Sequence, residues 1–253
     1  PRLNIAYYPS EDSMLYFEAA KGFRSGSITS TAIMTASNAT LGGTNYDNSS
    51  EPDTLWNYTL GGKWNLGSIS IDLAAFFYDW GDAQVEISPA LQTIVIPVAD
   101  IEGRGIDLTI AWDTPIDGLS LYFSGNTNEV ELDNVDEAIV TKLPFMADGS
   151  QLPGTAKSTY SIRANLVRPL NNDMTLNANA LFVQRDSVQS VFDGRIAPSI
   201  ELLNANIGIA KDNWKVGLFG RNLTEEEGPS NMVGGQHSIP FPRTIGLSLE
   251  TNF

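Results

Sequence analysis

The chain has 253 residues, no cysteine, 42% hydrophobic residues and a formal net charge of −15 at pH 7. This length fits one all-β unit, and the absence of cysteine excludes disulfides and thiolate metal sites. The acidic balance argues against nucleic acid as a partner, because phosphates would be repelled. No stretch approaches the run of roughly 18 apolar residues that a membrane helix requires.

Eleven segments alternate apolar and polar side chains, and the connections between them alternate in length. Five connections are predicted to be tight turns: Pro9–Ser13, Asn65–Gly67, Thr114–Gly118, Pro169–Asp173 and Lys211–Asn213. Five are long and polar: Ser25–Asp53, Ser88–Asp100, Glu131–Lys157, Asp186–Glu201 and Leu223–Phe241. Short turns at one rim and long loops at the other are typical of bacterial outer-membrane barrels. The predicted fold class is therefore all-β, a transmembrane antiparallel up-and-down β-barrel.

The alternation is clearest in the second half of the chain. In Met174–Arg185, Leu176, Ala178 and Phe182 share one face while Asn177 and Asn179 share the other. A period of two with one apolar face indicates strands. It does not decide whether that face contacts lipid or a protein core.

The tryptophans favour lipid. Trp64 and Trp112 precede tight turns, Trp214 follows one, and each is in register with the apolar face of its strand. Amphipathic rings at one height are typical of the aromatic girdle at a membrane–water interface. Tryptophan also ends strands in soluble sandwiches, but three of the five tryptophans at one rim favour the membrane.

The negative charge is concentrated in the long connections. In chain order they carry net charges of −3, −1, −3, −2 and −3, which is most of the total of −15. An acidic rim suits divalent cations or a cationic or neutral ligand, and it also keeps exposed loops soluble.

The strand count is odd, whereas bacterial single-chain barrels have an even number of strands. If the last strand ends at the short-turn rim, the first strand runs in the same direction. We therefore expect further strands before Pro1. Without them, two strand edges would lack partners in lipid, at a cost of several kcal/mol per backbone group.

Several segments resemble, in the same order, the barrel of TonB-dependent outer-membrane receptors. They are Leu15–Ser25, Pro52–Lys63, Phe76–Val85, Gly103–Leu108, Gln151–Thr155, Gly217–Glu227 and Pro242–Phe253. The resemblance covers essentially the whole chain. It implies that residues 1–253 form the C-terminal half of a 22-stranded barrel, without the plug domain and the N-terminal strands.

The resemblance implies energy-coupled import of a scarce, bulky ligand, most of all a ferric siderophore. Cobalamin, a carbohydrate or another metal chelate are alternatives. The implied partners are the TonB–ExbB–ExbD complex, acting through the missing N-terminal part, outer-membrane lipid and lipopolysaccharide, and the barrel-assembly machinery. Phe253, with Leu249 and Leu247 beside it, resembles the signal that this machinery reads.

Two groups of polar-face residues are candidates for function. The first lies near the long-loop rim and is expected to contact ligand: Trp80, Asp82, Gln84, Arg185 and Arg221. The second lies deeper and is expected to face the plug: Asp72, Asp107, Arg163 and Glu250. The alternative for each residue is packing or ion pairing along a wet wall.

Catalysis and resident cofactors find little support. The sequence has no nucleophile elbow and no phosphate-binding glycine loop with lysine. His237 is the single histidine, and a transition-metal site usually gathers more than one imidazole or thiolate. We therefore expect no enzyme activity, no cofactor and no metal site.

Two other functions remain open. A passive outer-membrane channel would have a constriction loop folded inward and would need no plug. A soluble all-β module that binds or cleaves glycans would bury Leu176, Phe182, Ile207 and Leu247 in a common core.

Overall fold

The structure is a computed structural model that describes residues 1–89, 93–171, 173–229, 231–233 and 236–251. Within these ranges, eleven strands form one antiparallel sheet in which neighbours follow chain order. They are β1 (Arg2–Ser10), β2 (Ser13–Arg24), β3 (Asp53–Leu66), β4 (Ile69–Ile87), β5 (Ile94–Asp113), β6 (Leu119–Asp133), β7 (Ser158–Pro169), β8 (Met174–Arg185), β11 (Ile200–Lys211), β12 (Trp214–Arg221) and β15 (Thr244–Thr251).

The long loops contain further elements. Two short ribbons pair β9 (Val188–Gln189) with β10 (Ile196–Ala197), and β13 (Asn231–Val233) with β14 (Gln236–Ser238). The helices in the described ranges are α1 (Thr31–Thr40), α2 (Glu137–Lys142) and a 3₁₀ turn (Pro144–Met146). None of the helices in this part of the chain is long and apolar enough to cross a bilayer.

The predicted tight turns are confirmed, since strands flank each of them. Their backbones use the residues that tolerate positive φ: Gly67 (+68°), Gly118 (+76°), Asp173 (+57°) and Asp212 (+50°). At Gly118 space also excludes a side chain, because a Cβ would lie 2.0 Å from the carbonyl oxygen of Val167.

One predicted long connection, Ser88–Asp100, is wrong. Strand β4 continues to Ile87 and β5 begins at Ile94, so only residues 88–93 connect them. Near the long-loop rim Ile87, Ile94 and Ile96 are all buried. Strands covered on both faces lose the alternation by which strands are recognised. A register irregularity between Trp80 and Gln84 marks where β4 enters this covered region.

The apolar face of the sheet is exposed. Ile207 is 50% and Leu247 is 77% exposed, so the common core predicted by the soluble-module alternative is wrong for these two residues. Leu176 and Phe182 are only half-buried. Apolar side chains stay exposed on this face of both edge strands and of central strands, among them Leu3, Ile5, Leu60, Leu73, Ile106, Ile162, Val216 and Leu249. Such a surface needs an apolar solvent.

A second row of aromatic rings lies on the same face near the long-loop rim. The rings of Trp56 and Tyr58 stack with centroids 6.0 Å apart, and those of Tyr58 and Phe77 are 6.3 Å apart. Along β3, Trp56 precedes Trp64 by eight residues, which is about 26 Å of strand and about 20 Å after a tilt of about 40°. The apolar band therefore has two aromatic borders about 20 Å apart, compared with the band of about 25 Å that is typical of outer-membrane barrels.

The hydrophobic core of the protein lies above the band. It joins residues from α1 and its loop, from the ends of β4–β6 and from the α2 loop: Met34, Leu41, Ala83, Val85, Ile87, Ile94, Ile96, Ala99, Ile101, Val130, Leu132, Ile139, Leu143 and Met146. We call residues 25–52, 83–89, 93–101 and 130–157 the loop cap. Tyr78 and Trp80, on the polar face, pack against this core. The cap therefore folds over the polar side of β4–β6.

Candidate functional site

Gln84 belongs to the attachment of the loop cap. Its side chain donates to the carbonyl oxygen of Ser25 (3.2 Å) and accepts from Ser50 Oγ (2.7 Å). Arg24 Nη2 donates to Asp53 Oδ2 and to the carbonyl oxygen of Gln84, both at 2.5 Å. Gln84 is only 3% exposed. In this conformation it holds the 25–52 loop to β4 and presents nothing to a ligand.

Trp80 and Asp82 differ from Gln84 in exposure. The Arg24 guanidinium lies over the Trp80 ring, 5.0 Å from its centroid. Asp82 has a φ of +51° within the β4 irregularity, its N–H donates to Asp100 Oδ1 (2.9 Å), and its side chain is exposed. With Tyr46 and Pro97, Asp82 lines an open cavity of about 440 Å³. Trp80 is thus engaged in the cap attachment, whereas Asp82 can meet solutes.

The deeper acidic residues are partly engaged with neighbours. Asp72 pairs with Lys63 across β3 and β4, and Asp107 Oδ1 accepts from Asn126 Nδ2 at 2.6 Å. Glu250 is exposed and lies opposite Lys215 in the register of β12 and β15. All three carboxylates are on the polar face.

The register brings Arg163 and Arg221 into one line, although 58 positions separate them in the chain. Arg163 pairs with Tyr122 on β6 and with Leu181 on β8, and Leu181 pairs with Asn204 on β11. Ala205 pairs with Gly220, so the next residue of β12, Arg221, follows beside Asn204. We call the polar-face residues Tyr122, Arg163, Leu181, Asn204 and Arg221 the arginine row.

The arginines differ in their engagement. Arg185 closes the base of the 186–199 loop, because its side chain donates to the carbonyl oxygens of Asp186 (3.2 Å) and Pro198 (3.5 Å). Arg163 and Arg221 are exposed, and neither forms an ion pair with any carboxylate in the described ranges. The Arg221 guanidinium lies 5.5 Å from the centroid of the Phe219 ring.

Open cavities flank the arginine row. Arg221 lines one of about 530 Å³ together with Asn206, Phe219 and Phe241. Arg163 lines another of about 580 Å³ on the β5–β8 side. The polar face here combines guanidinium groups, neutral amides and exposed rings, and the cavity of Arg163 also contains the carboxylate of Asp107, which accepts from Asn126.

Asn222, which the sequence did not single out, holds Phe241 in place. Its Nδ2 donates to the carbonyl oxygens of Glu226 (2.8 Å) and Phe241 (2.9 Å), and its Oδ1 accepts from Glu226 N (2.8 Å). Asn222 is buried with a φ of +48°, a conformation that asparagine tolerates. Arg243 pairs with Glu225 at 2.9 Å beside it. The base of the last long loop is therefore closed by side chains.

Tyr46 joins two loops of the cap. Its hydroxyl donates to Asp136 Oδ2 at 2.5 Å, and Asp136 Oδ1 also accepts from Ala138 N as the N-cap of α2. Burial of the phenol, and then its bond to Asp136, raise the pKa of Tyr46 above its ordinary value. The phenol therefore stays neutral and keeps donating at physiological pH.

The membrane-facing candidates lie on the apolar face. Trp112 and Trp214 are partly exposed beside short turns, and Trp64 is half-buried in the same position on β3. Leu247 and Leu249 point outward on β15. Phe253 lies outside the described residues.

No cluster of three or more histidine, cysteine or acidic side chains that could hold a metal ion occurs among the residues the structure describes. The side chain of His237 is not among them.

The comparisons with known proteins agree on one fold. A family model described as "TonB dependent receptor-like, beta-barrel" matches residues 1–223. The chain aligns over its whole length with FyuA, the ferric yersiniabactin uptake receptor of Yersinia pestis, with a TM-score of 0.75 and 17% identity. It aligns likewise with BauA, the ferric preacinetobactin receptor of Acinetobacter baumannii, with a TM-score of 0.72 and 16% identity.

A third similar structure is the copper transporter OprC, with a TM-score of 0.68 and 12% identity over the whole chain. The chain spans only 37% of FyuA, 36% of BauA and 38% of OprC. No curated protein sequence matches it. The match to the family model over residues 1–223, together with the described sheet of eleven antiparallel strands, places the chain in the TonB-dependent receptor-like β-barrel family, whose members lie in the bacterial outer membrane.

Proposed function

We propose that the chain is the C-terminal half of an outer-membrane receptor that imports a scarce, bulky ligand with energy delivered through TonB. The observation that best supports this proposal is that the sheet has one exposed apolar face and one polar face, in a chain that matches the family model over residues 1–223. Lipid covers the apolar face, and the polar face lines the lumen. A tightly bound ligand needs work for its release, and the TonB–ExbB–ExbD complex supplies that work through the plug.

The open edges of the sheet support a larger barrel. Strands β1 and β15 each have one neighbour in the described sheet, and with ten antiparallel steps between them they run in the same direction. Closing the ring with antiparallel pairs requires an odd number of further strands. Eleven more would give 22. The N-terminal half of the barrel and the plug supply these partners in the proposal.

The polar face supports contacts with both a ligand and a plug. We assign the ligand-contacting role to Arg221 and Asp82, whose side chains are exposed near the long-loop rim. Arg185, Trp80 and Gln84 contact the loops, and we propose that they position the loops around the ligand. Asp72, Asp107 and Glu250 are proposed to face the plug. Leu247, Leu249 and the terminal Phe253 are proposed to be read by the barrel-assembly machinery, and the tryptophan girdle to contact lipid and lipopolysaccharide.

A ferric siderophore is the leading ligand. The names of FyuA and BauA describe receptors for ferric siderophore complexes, although that of OprC describes a copper transporter. Because identities are 12–17%, these names support a class of ligand and not one compound.

The test uses the complete receptor in a strain that lacks its own copy. Uptake of radioactive iron is measured with a panel of siderophores at limiting concentration, with and without functional TonB. Saturable uptake that disappears without TonB is expected. Uptake that rises linearly with concentration and ignores TonB would identify the passive channel and contradict the proposal.

A further inference from the structure

Charges of one sign collect on one part of the polar face. On β7, β8, β11 and β12 every charged side chain that points to this face is cationic: Arg163, Arg185, Lys215 and Arg221. On β2–β5 the same face is mixed: it carries carboxylates, among them Glu18, Asp72 and Asp107, and the cations Arg24 and Lys63. We call the four cations on β7, β8 and β12 the cationic strip; on the neighbouring strand β15, Glu250 lies opposite Lys215.

The carboxylates on the other side already have partners. Glu18 pairs with Arg2 and Asp72 pairs with Lys63, and Asp107 accepts from Asn126. Arg163 and Arg221 have no such carboxylate in the described ranges, as noted above. Within the cationic strip, Arg163 and Arg221 are therefore the exposed cations that no ion pair in the described ranges compensates.

The spacing of the two arginines is fixed by the sheet. Three strand-to-strand steps, from β7 through β8 and β11 to β12, separate them, which is about 14 Å between backbones. Leu181 and Asn204 lie between them in the row. A ligand that engages both guanidinium groups must be wide, and it must present an apolar or hydrogen-bonding middle.

The surroundings of Arg221 add rings. Phe219 lies under its guanidinium, and Phe241, held by Asn222, is 86% exposed at the edge of the same cavity. Gly246 leaves room for the Phe219 ring, because a Cβ there would lie 2.6 Å from its Cζ. A planar or aromatic group can stack on these faces while its anionic part meets the arginine.

We propose that the arginine row is the ligand-recognition surface and that it selects a bulky polyanion with aromatic or planar groups, about 14 Å wide. This rests on the proposed function, because only a receptor whose polar face is its lumen presents the row to a ligand. The acidic residues of the loop that follows Arg221 have partners of their own, because Glu225 pairs with Arg243 and Glu226 accepts from Glu201 N and Gly228 N. An aryl metal chelate of negative charge fits the row better than a neutral or cationic one.

The experiment uses two bulky iron complexes of opposite charge, with the complete receptor purified in detergent. One is the anionic iron(III) tris-catecholate complex, and the other is the iron(III) complex of a linear trihydroxamate whose terminal ammonium group makes it cationic. Binding is measured by quenching of tryptophan fluorescence. The variants are Arg163→Gln, Arg221→Gln and their combination. Lys215→Gln is the matched control, a cation on the same face but outside the row.

The expected result is preferential binding of the catecholate complex that weakens as salt is added. Each row variant should lower this affinity about tenfold, since a hydrogen bond to a charged group is lost, and the double variant should lower it further. Lys215→Gln should bind as the unchanged receptor does. Equal or preferential binding of the trihydroxamate complex, or no binding of the catecholate, overturns the proposal.

A second readout separates recognition from structure. If the row pairs with carboxylates of the plug instead, the variants change the thermal stability of the receptor and leave the affinity for the catecholate unchanged, which also overturns the proposal. If the double variant still shows TonB-dependent uptake, the arginine row is not the recognition surface, but the proposed function stands. If binding of the catecholate requires the arginine row but uptake does not depend on TonB, the proposed function is refuted and the role of the arginine row stands.

Discussion

At the residue scale, the side chains that shape the polar face act through contacts that are distant in the sequence. The donors of Asn222 reach the carbonyl oxygen of Phe241, nineteen residues later, and Gln84 reaches Ser25, 59 residues earlier. Polar character alone nominates such residues for ligand binding. Their partners show that Gln84 and Asn222 hold loops in place.

Asn222→Ala is predicted to release the base of the last long loop. The carbonyl oxygens of Glu226 and Phe241 would lose the hydrogen bonds from Asn222, each contributing about 0.5–1.5 kcal/mol, and alanine tolerates a positive φ less well than asparagine. The loss should be local. Hydrogen exchange of residues 223–243 in the complete receptor should become faster, while that of the loop cap stays the same.

Asn206→Ala is the matched control for this experiment, since it removes an amide side chain that lines the same cavity on β11. Unchanged hydrogen exchange of residues 223–243 in the Asn222 variant would show that the hydrogen bonds of Asn222 do not hold the loop.

The raised pKa of Tyr46 gives a prediction with a definite sign. In the folded state the neutral phenol is stabilised by burial and by its bond to Asp136. This contribution is complete below the ordinary tyrosine pKa of about 10 and is lost as pH rises through the higher folded value. The absorbance difference at tyrosinate wavelengths between the receptor and its Tyr46→Phe variant should therefore be absent at a pH of about 10. A half-complete titration at that pH would contradict the assignment.

At the element scale, the residue types of each segment predicted the tight turns but did not predict the strands within the loop cap. Asn65–Gly67 and Lys211–Asn213 contain residues that tolerate positive φ, and strands end there as predicted. The Ser88–Asp100 segment was misread because Ile94 and Ile96 are covered by loops that come from elsewhere in the chain. Period-two patterns report one buried face, so strands with two buried faces escape them.

The arginine row also could not be predicted from the sequence. Arg163 and Arg221 were nominated for different roles because their depths were judged separately on their own strands. The register across β8 and β11 makes them neighbours in one row. A loop of fourteen residues, 186–199, intervenes between β8 and β11, so the sequence alone gives no register between these strands.

The two faces of β11 predict opposite responses to the same substitution. Ile207→Arg would place a charge in hydrocarbon, at about 2–4 kcal/mol near the bilayer midplane. Asn206→Arg, one residue earlier, would point into the polar side and cost far less. The free energy of unfolding of the complete receptor from lipid vesicles measures both. Equal costs at the two positions would contradict the assignment of faces.

At the scale of the whole molecule, an exposed apolar band lies below a loop cap with its own core. The cap covers the polar side of β4–β6, whereas the arginine row crosses β6–β12 beyond it. The loop cap therefore covers the polar face unevenly, and Arg163 and Arg221 are exposed outside the part that it covers. Met34 and Ile139, from different loops, share one core, which makes the covered side a single packed unit.

The solvent of the apolar face is the central claim, and spin labels test it most directly. Ala178 lies on that face of β8, paired with Leu166 and Ile207, and Asn179 lies on the opposite face. In the complete receptor in a bilayer, a label at position 178 should be relaxed strongly by oxygen and weakly by a water-soluble nickel chelate. A label at position 179 should show the reverse. Preferential relaxation of the label at 178 by the nickel chelate would contradict the membrane barrel, and with it the lumen and its ligand.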